Sequence, residues 1–316
     1  MSESSHNINS INDSQSPLNL RGRKRVGESI IKGLLFFSGI FSIFITVAII
    51  YELTKEALLF FMDSNVSLID FLTGLVWQPK IGEFGVIPLL TATLVTTTIA
   101  MMVAIPLGMA VAIYLSEYAS EKVRGTVKPV MEVLAGIPTV VYGFFALTLI
   151  TPVLRSIFGS NVVQIYNTAS AGLAMGILIM PLIASMTEDA LSAVPRSLRE
   201  GGYSLGATKL EVALKIVVPA AISGISAAII LGISRAIGET MIVALAAGAG
   251  PKLTLNPFES AETMTGYMVR ISGGDLSYDS LDYNSIFAIG LLLFVMTFIL
   301  NIISQRIVRH FREVYE

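Results

Sequence analysis

Pro195-Arg-Ser-Leu-Arg-Glu-Gly-Gly-Tyr-Ser-Leu-Gly206 runs into Ala207-Thr-Lys-Leu-Glu-Val-Ala-Leu-Lys-Ile-Val-Val-Pro219, and then into an apolar run closing on Ser234-Arg-Ala-Ile-Gly-Glu239. The first two segments are polar and carry strong local signals. Thr208 followed three residues later by Glu211 fits a capping box, which predicts a helix starting at about Lys209. Pro195 suits the start of an earlier helix, where its missing donor is harmless. Two short helices with a glycine corner make a compact knob. The spacing Gly201-x-x-x-x-Gly206-Ala207-Thr208 misses a phosphate-cradling loop, because alanine stands where the lysine belongs and no strand precedes it. Nucleotide binding by this chain is therefore rejected.

The third segment has two faces. Ala220, Gly224, Ala228, Gly232 and Ala236 recur every four residues and let another backbone approach closely. The neighbouring face carries Ser223, Ala227, Leu231, Arg235 and Glu239, so the arginine and glutamate lie one turn apart and are expected to pair. In a continuous helix Arg235 lies roughly 24 Å beyond Pro219. An arginine inside a span costs about 2.5–3.5 kcal/mol on insertion scales, so it must face protein or water. Two readings stay open. Glu239 neutralises Arg235 as a structural staple, or the two form an anion path or gate in which the guanidinium meets two anionic oxygens at once and Glu239 holds it at rest.

Composition places this stretch in a membrane protein. The chain is 53% hydrophobic and 14% charged, with a mean hydropathy of +0.74, outside the balance of a soluble domain. A net charge of −2 excludes a broadly basic nucleic-acid binder, and the absence of cysteine removes disulfides and thiolate metal sites. The only histidines, His6 and His310, make no metal or catalytic constellation. No catalytic residue, metal site or cofactor is assigned.

Residues 1–28 are read as a disordered tail and 29–312 as one membrane domain. A span needs about 20 apolar residues. Six stretches qualify, at 31–53, 86–115, 127–153, 169–189, 217–248 and 284–307, with kinks or breaks expected at Pro106, Pro138, Pro181 and Gly238. Arg21, Arg23, Lys24, Arg25, Lys32, Lys122, Arg124, Lys128, Arg196, Arg199, Lys209, Lys215, Arg306, Arg309 and Arg312 fall on one side. Lys55, Lys80, Arg155, Lys252 and Arg270 fall on the other, which puts both termini and the loop at about 190–219 in the cytoplasm. The first span reads as uncleaved.

The other segments have ordinary readings. Trp77 and its aromatic neighbours in 54–85 suggest an interfacial belt, and the threonines from Thr91 to Thr98 suggest helix packing. Ala261, Met264, Met268 and Ile271 form a helical stripe that lies on the membrane, tucks over the bundle or docks an external partner. Gly136-Ile-Pro-Thr-Val-Val-Tyr-Gly143 is a bend that either lines a cavity or packs closely. Glu188 and Asp189 point to different faces of a solvated helix end.

Glu200-Gly-Gly, three residues, Gly206, nine residues, Ile216-Val-Val-Pro219 resembles the EAA loop of the permease subunits of ATP-binding-cassette importers. Glycines replace both alanines, which should weaken the first helix, and Val218 replaces a leucine. With Gly136–Gly143 and Arg235-Ala-Ile-Gly-Glu-Thr-Met241, the chain is similar to PstC-type permeases of phosphate importers over about residues 30–310. That resemblance implies an all-α, six-span permease of the type I importer architecture, in a prokaryotic inner membrane. It implies three kinds of partner besides lipid: a PstA-like second permease, PstB-like cytosolic ATPases docking at Glu200, Gly206 and Pro219, and a PstS-like extracytoplasmic phosphate-binding protein. The remaining alternatives are a permease for sulfate or molybdate, an ion-coupled secondary transporter and a membrane scaffold.

Overall fold

A computed structural model describes residues 26–64, 66–274 and 280–310. The tail expected over 1–28 lies outside these residues, apart from its last three. The chain divides into two compact units, Met1–Tyr51 and Glu52–Glu316. In the first, helix α1 (Val26–Met62) begins as an exposed apolar run in which Phe37 and Phe41 stack.

The second unit opens with the last turns of α1 and continues through α2 (Leu68–Thr73) to a two-residue antiparallel pairing of β1 (Trp77–Gln78) with β2 (Glu83–Phe84), Trp77 opposite Phe84. Around this hairpin Phe60, Phe71, Trp77, Phe84 and Tyr267 meet edge to face, at centroid separations between 5.1 and 6.2 Å. Such pairs prefer this geometry because ring edges are positive and faces negative. Trp77 is only 3% exposed. The indole is therefore the centre of a small aromatic core and not the interfacial anchor that its position in the sequence suggests.

Helices α3 (Ile87–Ile113) and α7 (Thr168–Ser192) form the heart of the unit. Their contact is close because glycines sit where the helices cross: a Cβ on Gly172 would lie 2.7 Å from Ile99, and one on Gly176 would lie 2.9 Å from the Ala100 carbonyl. Thr93 and Thr96 donate back to the Leu89 and Ala92 carbonyls, the packing role expected of hydroxyls in a span. Pro106 and Pro181 lie inside these helices without ending them; close neighbours can supply what a proline removes.

After α3 comes a π turn, Tyr114–Tyr118, and then α4 (Glu121–Ala135), a separate amphipathic helix. The span expected at 127–153 is thus corrected. The apolar crossing begins only after Pro138, as α5 (Thr139–Phe145), a π turn and α6 (Thr151–Phe158). Hydropathy averaged across Gly136 and Pro138 hides this break, which follows from the restriction that proline places on the residue before it.

The knob comprises α8 (Arg196–Ser204), α9 (Lys209–Val212), a π turn and α10 (Val218–Ala220). At Ala221 the chain bends by 74° into α11 (Ile222–Ile237). A second break at Gly238–Thr240 precedes α12 (Met241–Ala246), so the fifth span is not the continuous helix expected over 217–248. Counted from the bend, Arg235 lies about 20 Å along α11. Helix α13 (Met264–Ser272) buries Met264 and Tyr267 against the aromatic core, so the 261–271 stripe tucks over the bundle. Helix α14 (Leu281–His310) is the last crossing. Among the described residues five helices are long and apolar enough to span a membrane, six when the bent pair is one crossing.

The small-residue face of α11 meets α7 directly: a Cβ on Gly224 would fall 2.4 Å from that of Ala190, and one on Gly232 would reach Ile183 at 3.0 Å. Replacing Gly224 by valine is expected to destabilise the fold by about 1–3 kcal/mol through overpacking. Gly201 on α8 has nothing within 4 Å of its missing Cβ, so Gly201→Ala should stabilise by about 0.5–1 kcal/mol through helix propensity. Melting curves of the detergent-purified chain should shift in opposite directions; a common direction would contradict the packing described.

Candidate functional site

The breaks in α11 decide what Arg235 and Glu239 can do. The helix ends at Ile237, Gly238 caps it, and the Glu239 amide donates to the Ala236 carbonyl at 3.2 Å. The Glu239 carboxylate turns toward α12 and accepts from the Ile242 amide at 3.4 Å. Its own carbonyl accepts from Thr265 Oγ1 at 2.6 Å. Glu239 is consequently buried, 8% exposed. Arg235 is exposed, and among the described residues no carboxylate lies within 4.0 Å of it. The expected pair does not form, because the helix stops between its two members and the carboxylate has an amide to satisfy.

Arg235 shares its open face with Leu231, 42% exposed, and half-buried Ser223 and Ala227. The small-residue face is occupied by α7 and α14 also packs on this helix, while Arg235 itself stays exposed. Beside the break, Gly238, Thr240, Thr265, Met268 and Leu293 line a cavity of about 480 Å³. Both of its threonine hydroxyls donate to carbonyls, Thr240 to Gly238 and Thr265 to Glu239. They have no proton left for an anion.

The Gly136–Gly143 bend packs against the same break. A Cβ on Gly143 would sit 2.7 Å from Leu245 Cδ1 on α12, so this glycine serves close packing. The Tyr142 hydroxyl reaches back to the Leu134 carbonyl at 2.9 Å and satisfies an acceptor that the Pro138 break leaves open.

At the other end of α11 the capping box is present as expected: the Thr208 amide donates to Glu211 Oε2 at 3.0 Å, and the Glu211 amide to Thr208 Oγ1 at 3.3 Å. Gly206 has φ 82°, a left-handed conformation that glycine adopts freely. Gly202 is buried, and a Cβ there would meet Ile216 Cδ1 at 2.6 Å and Val212 Cγ2 at 2.9 Å. The second glycine of the loop thus lets α8 lie against α9, a gain that propensity alone does not register. Glu200 and Gly206 are exposed at the tip and Pro219 is exposed just before the bend. Around them Tyr203, Leu210 and Leu214 are exposed, and Leu205 is 90% exposed, an apolar patch on a polar knob.

Two ionic anchors hold this end together, and sequence reading missed both. Arg199 donates to Glu117 through Nη2 at 2.9 Å and Nε at 3.3 Å. Glu188, expected at a solvated boundary, is fully buried between Arg124 and Lys128, with Lys128 Nζ at 2.9 Å. Only Asp189 remains exposed, and it shares Lys128 at 2.5 Å. The correction has a simple cause: α4 folds back alongside α7, which no local pattern shows. Asp189 foremost raises the Lys128 pKa above its usual value, against an opposing desolvation. The stability tied to a raised pKa is present below the unfolded value and lost as pH climbs through the folded one, so this anchor is charged throughout the neutral range.

At the opposite end Glu262, 1% exposed, receives Arg270 in a fork at 2.6 and 2.9 Å and also accepts from the Gly250 amide.

Residues 104–313 match the family of binding-protein-dependent transport system inner membrane components. The chain is 36% identical over 256 residues to the probable ABC transporter permease protein YqgH of Bacillus subtilis, covering 80% of this chain and 82% of that one. It is 31% identical to the phosphate transport system permease protein PstC of Mesorhizobium japonicum, over 75% and 77% of the two chains. Among solved structures, a chain of the bacterial alginate ABC transporter superposes with a TM-score of 0.62 at 15% identity, covering 91% of this chain and 98% of that one. This last likeness is one of fold.

The two charged sites differ in what they contribute to stability. Arg235→Gln, which breaks no ion pair, should leave the melting temperature of the purified chain nearly unchanged. Glu188→Leu leaves Arg124 and Lys128 without their buried acceptor and should cost about 1–3 kcal/mol, less than a fully buried pair because both cations can reach water. Equal shifts would mean that Arg235 is held by a partner within the fold.

Proposed function

The chain belongs to the family of binding-protein-dependent transport system inner membrane components, and we propose that it is the permease subunit through which an ATP-driven importer moves inorganic phosphate. The observation that carries this reading is Arg235: an exposed cation on α11 with no carboxylate within 4.0 Å among the described residues, on a different face from the small residues that pack against α7. A planar guanidinium binds two oxygens of a phosphate at once, and it keeps its charge at any physiological pH. Phosphate is preferred over sulfate or molybdate on the names of the PstC relatives, since the arginine itself serves any oxyanion. Glu239, engaged with α12, sits two residues beyond the helix end as the fixed side of the gate, and Gly238 between them allows Arg235 to move against it.

The second permease covers the Arg235 face, and the path runs between the two chains. The knob lies on the cytoplasmic side with both termini, a reading that the distribution of lysine and arginine supports. Its exposed patch around Leu205, with Glu200 and Gly206, receives a cytosolic ATPase. Pro219 at the bend joins that contact to α11. The 249–274 segment and the aromatic core face outward, toward the phosphate-binding protein. Reorganisation at the knob reaches Arg235 through a single helix of 16 residues.

Phosphate uptake by the reconstituted importer tests the anion role. Arg235→Gln should lower uptake about tenfold or more, the scale of losing charge-assisted hydrogen bonds, while copurification of the other subunits persists. Unchanged uptake would reduce Arg235 to a lipid- or protein-facing cation, and uptake of sulfate in preference to phosphate would reassign the substrate. Docking is tested separately. Gly206→Val, incompatible with φ 82°, and Leu205→Asp should release the ATPases during purification. Full retention by both would remove the docking role.

A further inference from the structure

A regular continuation of α3 would not aim its last acidic residue where Glu117 points. The segment Tyr114–Tyr118 forms a π turn, closed by the Ala119 amide donating to the Tyr114 carbonyl at 2.9 Å. A π turn inserts one residue into the helical register and re-aims the side chains that follow; such turns are concentrated at functional sites. Here it buries Glu117, with a side chain 4% exposed, against Arg199 of α8, 16% exposed.

Arg199 uses its whole donor fork. Nε and Nη2 hold the Glu117 carboxylate, Nη2 also donates to the Leu191 carbonyl at 2.8 Å, and Nη1 donates to the Val194 carbonyl at 2.5 Å. Ser116 Oγ adds a hydrogen bond to Glu117 Oε1 at 3.0 Å. One side chain thus binds three elements: the end of α3, the carbonyls closing α7, and the knob itself. Replacing a buried ion pair by apolar groups is often neutral or stabilising, so stability is a poor reason for its presence. Beside the pair lies a polar cleft of about 370 Å³ lined by Arg124, Ser192, Arg196, Glu200 and Tyr203. That open space lies on one side of α8; elsewhere the knob meets α3 through an apolar cluster that includes Leu198, Val212, Ala112 and Ile113, and the pair adds a buried ionic link from the knob to the end of α3.

We propose that Glu117 and Arg199 are positioning residues of transport, forming the strut that carries displacement of the 195–219 knob to the α3–α7 core. Without the strut ATP hydrolysis continues and phosphate movement does not follow. The proposal rests on the ATPase-docking reading of the knob. Through Pro219 and the bend at Ala221 the knob drives α11; through Arg199 and Glu117 it drives α3. Two linkages to two packed helices move the bundle as a body.

The test measures phosphate uptake and ATP hydrolysis together in the reconstituted complex of this chain with its second permease and ATPases. Glu117→Gln keeps the shape of the side chain and leaves Arg199 on the Leu191 and Val194 carbonyls. It should retain the ATPases and their hydrolysis while uptake per ATP falls about tenfold, the scale of a typical coupling free energy. The chain has no cysteine, so a Glu117→Cys, Arg199→Cys double variant joined by a short bifunctional thiol reagent should recover uptake per ATP, and reduction of a cleavable linker should abolish it again. An unchanged uptake-to-hydrolysis ratio in Glu117→Gln overturns the proposal. So does a parallel fall of uptake and hydrolysis with a lowered melting temperature, the signature of a merely structural pair. Normal ATPase retention by both Leu205→Asp and Gly206→Val would remove the docking reading and the proposal with it. Loss of the ATPases in Leu205→Asp with an unchanged ratio in Glu117→Gln overturns the proposal alone.

Discussion

In hydrocarbon every backbone donor and acceptor must find a partner within the protein, because no water is there to take its place. Each irregularity in this bundle is a solution to that demand. The Tyr142 hydroxyl serves the Leu134 carbonyl at the Pro138 break. Glu239 and Thr265 serve the Ile242 amide and the Glu239 carbonyl where α11 stops. Asn167 caps α7 through the Ser170 amide, and Arg199 closes its other end. At its Gly238–Thr240 break the fifth span relies on Thr265 of a neighbouring segment and on Glu239 itself for these groups.

The same economy of partners separates the charges into two kinds. Glu188, Glu117 and Glu262 are buried and meet cations. They lie at the two ends of the bundle and tie α4, α8 and α13 onto it. Arg235 lies between those ends and has no carboxylate within 4.0 Å among the described residues. A cation inside a membrane is costly unless a second chain, water or an anion meets it, and that cost is what motivates the proposed path on its face.

Close packing then turns these local solutions into one mechanical body. Glycines at 172, 176, 224 and 232 bring α3, α7 and α11 to distances at which a single added carbon collides with its neighbour. A core packed at that density is not continuously deformable, so its helices shift as whole units. The bends at Ala221 and at Gly238–Thr240 mark where the chain changes direction.

Much of this was legible in the residues alone. Hydropathy determined the membrane class, the four-residue repeat from Ala220 to Ala236 determined the contact face of α11, and Thr208 with Glu211 determined the start of α9. These are local or periodic signals, and local physics produces them without reference to the rest of the chain. Tertiary structure decided what depends on partners far apart in sequence. It put Trp77 in an aromatic core, folded α4 beside α7 so that Glu188 is buried, and turned the end of α3 so that Glu117 meets Arg199 across 82 positions. It also separated Arg235 from Glu239. Helical spacing placed those two side chains one turn apart, but spacing assumes that the helix continues, and whether it does depends on Thr265 and α12 competing for the groups at its end.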